Sequence, residues 1–166
     1  MSSWTVAPEP FDSPDAAALW RAYYTEVSDR WYELNHGHKT DPEELEREIA
    51  AESGAELDPP KGALVVARHD GVLAGCAGLR MLDATTGELT RVFVLEDMRG
   101  KGGSGVLLRA IEDAARGLGA ERLVLDTRLD LVEARALYAR SGYAEIEAYN
   151  DSMYAEVWFE KHLEAA

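Results

Sequence analysis

Seven consecutive residues, Arg99-Gly100-Lys101-Gly102-Gly103-Ser104-Gly105, combine four glycines with two cations. Glycine lets backbone approach a bound group closely, and a helix start offers unpaired N–H groups carrying a partial positive charge. Arg99 and Lys101 add full charges. This chemistry suits a phosphate or pyrophosphate. Other reactive side chains are sparse. The single cysteine, Cys76, lies in the apolar run GVLAGCAGL and reads as a buried structural thiol rather than a nucleophile. His36 and His38 have no companion His/Cys cluster, so they read as exposed loop histidines and no metal is expected.

A loop of this kind needs a strand before it and a helix after it. Glu88–Val94 ends in β-branched and aromatic residues and reads as the strand. Val106, Leu107, Ile111, Ala114, Ala115 and Leu118 recur at helical spacing and predict the helix. Upstream, Trp4–Glu9 reads as a short first strand. Ser13-Pro14-Asp15 starts a helix, with Ser13 as its cap. Leu19, Trp20, Tyr23, Tyr24 and Val27 make its core-facing stripe, and Asp29–Lys39 reads as irregular. Asp41-Pro42-Glu43-Glu44 opens a second helix, capped by Asp41, that ends near Ser53-Gly54.

Two strands, Ala63–Arg68 and Val72–Leu82, flank a hairpin turn at His69-Asp70-Gly71, and a turn at Ala84–Gly87 leads into the fourth strand. Short hairpins imply antiparallel pairing. Gly75 and Gly78 point to a bulge or a close backbone approach. Arg122–Thr127 is a fifth strand, reached through a helix and therefore parallel to the fourth. Leu131–Arg140 is a last helix, ended at Ser141-Gly142. Tyr143–Ala148 and Tyr154–Glu160 are the final strands, around an Asn150-Asp151-Ser152 loop.

With 166 residues the chain reads as one domain, 1–166, long enough for a sizeable core. A hydrophobic share of 46% argues against disorder. The balance of 17 basic to 31 acidic residues gives a formal charge of -14, which disfavours nucleic acid and anionic membranes as partners. No run reaches a membrane span and the first residues lack a signal peptide's apolar core, so a cytoplasmic setting is expected.

Gly100, Gly102 and Gly105 spell the dinucleotide fingerprint G-x-G-x-x-G, with Asp126 about twenty residues on. That fingerprint follows its strand directly. Here five residues, Leu95–Arg99, intervene after Val94, and antiparallel hairpins precede the loop. A Walker A loop fails because Gly102 follows Lys101 where Ser or Thr is required. The run from Val94 to Leu108 instead resembles the acetyl-CoA loop of the GNAT (Gcn5-related) N-acetyltransferases, Arg/Gln-x-x-Gly-x-Gly/Ala. Arg99 and Gly102 match, and Ser104 takes a small-residue position. A second signature follows: Leu137-Tyr138-Ala-Arg-Ser-Gly142-Tyr143 is similar to the family's Leu-Tyr-x-x-x-Gly-Phe, with Tyr143 in place of Phe.

The resemblance covers about Trp4–Leu163 and implies an α+β GNAT fold. This is a twisted, mostly antiparallel mixed sheet of about six to seven strands with flanking helices, splayed between strands 4 and 5. It implies acetyl transfer from acetyl-CoA, the cosubstrate, to an amine of a small molecule or peptide. A non-catalytic acyl-CoA-binding sensor of the same fold is the alternative. The backbone of Val92, Phe93 and Val94 is expected to pair with pantetheine. Gly100, Gly102, Gly103, Ser104 and Gly105 are expected to hold the pyrophosphate, aided by Arg99 and Lys101. Tyr138 matches the family's general acid, Glu88 is the first candidate base, and Asp126 the second. Leu131 stands where many members place an asparagine that touches CoA. Tyr32, Tyr149 and Tyr154 are expected to wall the acceptor site. The acidic surface favours an amine, while Arg91 and Arg128 keep a carboxylate-bearing acceptor open. A monomer or homodimer is expected.

Overall fold

A computed structural model describes residues 3–164. Seven strands form one sheet, β1 (Trp4–Pro8), β2 (Gly62–His69), β3 (Val72–Met81), β4 (Thr86–Val94), β5 (Arg122–Thr127), β6 (Ala144–Ile146) and β7 (Val157–His162), in the order β1-β2-β3-β4-β5-β7-β6. Four helices flank it: α1 (Pro14–His36), α2 (Pro42–Ala51), α3 (Gly103–Gly117) and α4 (Val132–Arg140). All pairings are antiparallel except β4 with β5. The mixed, mostly antiparallel sheet is the one the sequence predicts.

Alternation along β2 shows both faces covered. Leu64 and Val66 pack with Ala16, Leu19 and Trp20 of α1. Val65 and Ala67 face the other way, into the core cluster that also holds Leu107, Leu108 and Ile111 of α3 and extends to Leu137 and Tyr138 of α4. A strand buried on both faces reads as an unbroken apolar run, as this one does. Helix α3 is fixed mainly by Leu107, Ile111 and Ala115, each fully buried. Truncating Leu107 to alanine would cost about 2–5 kcal/mol.

Two features open the sheet where the site lies. First, β4 and β5 pair only at Thr86↔Arg122, Gly87↔Leu123 and Glu88↔Val124. Beyond Glu88 the strands part, leaving Leu89–Val94 of β4 with no partner on that side. Second, β4 carries a bulge: Gly78 pairs with Thr90 and Cys76 with Phe93, so Arg91 and Val92 together oppose Ala77. Arg91 takes φ 55°, an uncommon value for a non-glycine residue. Bulges turn a strand and increase its twist, which accounts for the divergence. Gly75 and Gly78 flank this irregularity, as expected.

The prediction for the end of α1 fails. Asp29–Lys39 is helical as far as His36, and α1 ends on Gly37 at φ 76°. Histidine 36 is thus a helix residue, not a loop residue. The apolar period fades after Val27 because this half of α1 leaves the sheet. Polar ties hold it there: Arg30 Nη2 donates to the Asp130 carbonyl, Tyr32 Oη to Glu44, and the Thr40 N–H to Asp29 Oδ1. The start of α1 follows prediction, with the Ala16 N–H donating to Ser13 Oγ at 3.0 Å. Asp41 precedes α2 without a capping hydrogen bond.

Candidate active site

The divergence of β4 and β5 opens a cleft of about 790 Å3, walled by β4, the start of α3, the end of β5 and α4. Glu88, Val92, Phe93, Val94, Arg99, Ser104, Asp126 and Tyr138 all line it. The sequence-predicted cofactor strand, both candidate bases and the candidate acid thus share one space.

The glycine loop closes one end. Gly102 caps α3 at φ 84° and Gly100 stands at φ 79°, conformations that side chains rarely adopt, with open space beside both. No side chain caps α3, so its first N–H groups remain for a ligand. Gly103 is required for another reason. A Cβ there would lie 2.5 Å from the Trp4 ring. Trp4 Nε1 also donates to the Lys101 carbonyl at 2.8 Å. Trp4, on the far edge strand, therefore pins the loop. No local motif marks it, because ninety-seven residues separate the partners. The Arg99 guanidinium is held by the Val94 carbonyl at 2.9 Å and by both carboxylate oxygens of Glu26 on α1.

Tyr138 lies on α4, only 7% exposed, against Tyr143 and Phe159. Burial pushes its hydroxyl well above the usual tyrosine value, and Tyr23 and the Asp126 carboxylate add to the shift. It is fully protonated at neutral pH. Glu88 is also buried and doubly engaged: Arg80 Nε donates to one oxygen at 2.9 Å and Tyr149 Oη to the other at 2.7 Å. Burial first, and then this bond to Glu88, raise the Tyr149 pKa. Asp126, at the end of β5, accepts a single side-chain hydrogen bond, from Asn150 Nδ2 at 2.9 Å. Leu131 stands at the N-cap of α4 and brings no polar group to the cleft.

A second cavity, of about 510 Å3, lies between α1, α2, the end of β5 and the β6–β7 loop. It shares Tyr23, Val27, Asp126, Thr127 and Leu131 with the cleft, so the two spaces meet there. Tyr32 and Tyr154, two of the three tyrosines expected from the sequence to wall an acceptor site, line it. Tyr149 does not; its hydroxyl is turned to Glu88. Trp31, Glu48 and Glu52 join the wall. Helix α2 was not foreseen there, although Glu44, Glu48 and Glu52 at four-residue spacing mark one acidic face. The guanidinium of Arg128 is consumed by Asp130 through two bonds and by the Val27 carbonyl. Arg91 is stacked 4.2 Å over Trp20 and paired with Glu52. Cys76 is fully buried and its thiol is pushed up to about 12 by burial, which makes it a poor nucleophile.

Residues 18–143 match the model of the acetyltransferase (GNAT) family. An IAA acetyltransferase of Azospirillum brasilense is 34% identical over 113 residues, 62% of this chain and 74% of that protein. An uncharacterised N-acetyltransferase of Mycobacterium tuberculosis is 31% identical over 87 residues, 52% of this chain and 56% of its own length. The fold is shared with the Thermoplasma acidophilum PaiA N-acetyltransferase in complex with coenzyme A, at TM-score 0.73 and 15% identity over 97% of this chain and 99% of that one. It is also shared with a GNAT family acetyltransferase from Elizabethkingia anophelis with acetyl-CoA bound, at TM-score 0.63 and 16% identity, covering 96% and 98%. The family match spans well over half of the sequence, and with the splayed sheet and glycine loop it places the chain in the acetyltransferase (GNAT) family, whose cosubstrate is acetyl-CoA.

Proposed function

We propose that this chain is an N-acetyltransferase that moves the acetyl group of acetyl-CoA directly to an amine of a small molecule or peptide. The observation that carries the reading is the meeting of two spaces at Asp126, one beside the glycine loop and Tyr138, the other open to an acceptor. The residues fit the cosubstrate. The unpaired side of β4 at Val92–Val94 offers backbone for pantetheine, and the uncapped start of α3 offers N–H groups for pyrophosphate. Arg99, released from Glu26, would supply a cation to that anion, with Lys101 of the same loop as a second.

An alkylamine, with a pKa near ~10, enters as ammonium and must lose a proton before it attacks. Asp126 takes that role ahead of Glu88, because it has only one side-chain donor while both Glu88 oxygens are occupied. The proton passes to Asp126, directly or through a water, and on to solvent. The nitrogen lone pair then forms the N–C bond at the thioester carbonyl. As the tetrahedral intermediate collapses, the C–S bond breaks and nitrogen releases its second proton by the same route. Tyr138 gives a proton to the departing sulfur and regains one from solvent. The sum is acetyl-CoA plus ammonium giving amide, CoA thiol and one proton.

Leu131 favours the other reading, a module that binds acyl-CoA without turning it over, because it removes a polar contact from the cleft. The acceptor cavity and the neutral Tyr138 phenol favour catalysis. Thiol release from acetyl-CoA across a broad amine panel decides between them. Amine-dependent release is expected; tight CoA binding with no release on any amine would sink the enzymatic reading.

A further inference from the structure

We infer that the acceptor is a diamine-type cation, with one amine at Asp126 and a second, charged amine held at the outer rim by Trp31, Tyr154 and Glu48. This rests on the transferase reading and specifies its substrate class. The inner end of the acceptor cavity is where it joins the cofactor cleft. Its outer wall is built differently. Trp31 meets Tyr32 at 4.9 Å and Tyr154 at 5.4 Å between ring centroids, with interplanar angles of 83° and 73°. Rings set nearly at right angles present both edges and faces to one small volume. Their faces attract an alkylammonium group and offset part of the cost of shedding its water.

The charges around this volume point the same way. Glu48, Glu52 and Asp126 line the cavity, with Arg128 as the one cationic wall residue. Arg128 is already neutralised by Asp130, and Glu52 by Arg91. Glu48 and Asp126 have no cationic partner among the described residues; Ser28 Oγ lies 3.5 Å from Glu48, and Asn150 bonds Asp126. Two carboxylates without a cationic partner thus line the cavity, Asp126 where it meets the cleft and Glu48 on the α2 wall. A monoamine would use only the inner one. A carboxylate-bearing acceptor would place its anion beside Glu48 with no free cation to receive it. Arg91, which the sequence left open for that role, is not a wall of this cavity. Its contacts are Trp20, Tyr24 and Glu52.

The test compares 1,5-diaminopentane, pentylamine and 5-aminopentanoate, three chains of like length that differ at the far end. With acetyl-CoA as donor, kcat/KM for the diamine should exceed that for pentylamine by about fivefold, one partly exposed cation–π and charge contact of about 1 kcal/mol. The aminocarboxylate should be the poorest. E48Q and W31L should each shrink the diamine-to-monoamine ratio towards one. Calorimetric titration of the same three compounds into the CoA-saturated protein gives a second readout that needs no turnover. Diamine binding no tighter than pentylamine, or a ratio unmoved by both substitutions, would overturn the inference while leaving acetyl transfer intact. Preferential diamine binding without acetyl transfer would instead overturn the transferase reading and keep the diamine site.

Discussion

The two halves of the site are built on opposite plans. The cofactor half is centred on one continuous piece of chain, β4 through the start of α3, and is closed by the end of β5, by α4 and by one side of α1. It combines the unpaired edge of β4 and the uncapped start of α3 with side chains of both charges, Glu26, Glu88, Asp126 and Glu133 beside Arg30, Arg91, Arg99 and Arg140. The acceptor half is gathered from α1, α2, the end of β5 and the β6–β7 loop, and its groups are aromatic rings and carboxylates. A pyrophosphate is the same in every acyl-CoA, so contiguous backbone suffices to hold it. An acceptor is distinguished by its side-chain contacts, and those come from segments that can vary separately. Asp126 and Tyr23 belong to both halves and are where the two plans must agree.

The sharpest way to test this division is at Tyr138. Tyr138→Phe keeps the packed ring and removes the acid, so kcat should fall by about a hundredfold while acetyl-CoA affinity holds. Because burial raises the phenol's pKa, the wild-type acid function should persist through neutral pH and fail only above ~10. A Tyr138→Phe enzyme with wild-type kcat at every pH would remove the residue from the acid role.

Asp126→Asn tests the junction. The rate at neutral pH should drop about tenfold, less than the usual ~100-fold or more for a lost base because water can take the proton, and the loss should shrink towards alkaline pH as the amine arrives already deprotonated. Glu88→Gln should do less, since Arg80 and Tyr149 already occupy its oxygens. The reverse order would make Glu88 the base and move the junction to the start of the splay.

On the cofactor side, Trp4→Phe keeps a ring against Gly103 but loses the N–H held by the Lys101 carbonyl. One hydrogen bond of about 1 kcal/mol corresponds to a rise of about fivefold in KM for acetyl-CoA, with kcat unchanged. An unmoved KM would show that the loop holds its shape without β1.

The smallest effect is on stability. Tyr143 Oη donates to buried Glu112 at 2.7 Å, and burial, then that bond, raise its pKa. A tyrosine whose folded pKa is raised stabilises the fold fully below its unfolded value near ~10, and this contribution is lost as pH rises towards the folded value. Tyr143→Phe should cost about 1 kcal/mol at neutral pH and weaken the alkaline fall in stability, read by urea unfolding at both pH values. Equal alkaline losses in the two proteins would assign that fall to other groups.

The sequence was most legible where chemistry and chain are continuous. The strand, loop and α3 could be read directly, and the five residues after Val94 excluded a dinucleotide loop. Strand β5 falls on Arg122–Thr127 as expected. The second half of α1 was hidden because its Trp31 and Tyr32 face a cavity rather than the core, which breaks the apolar period. Tyr149 shows the same limit. Its place in a variable loop suggested an acceptor wall, but a hydrogen bond to Glu88, sixty-one residues away, turns it elsewhere.

What the sequence determined by itself is the strand, glycine loop and helix of β4 to α3 and the family, because glycines, charges and helix period act over a few neighbouring residues. Tertiary structure alone decided which carboxylate has both oxygens engaged and which keeps a single side-chain donor. Glu88 and Asp126 look alike in the chain, and only the divergence of β4 from β5, with Arg80 and Tyr149 closing on one and the acceptor cavity opening on the other, separates them. Local propensity cannot report such a choice, because it depends on which distant side chains arrive at each oxygen.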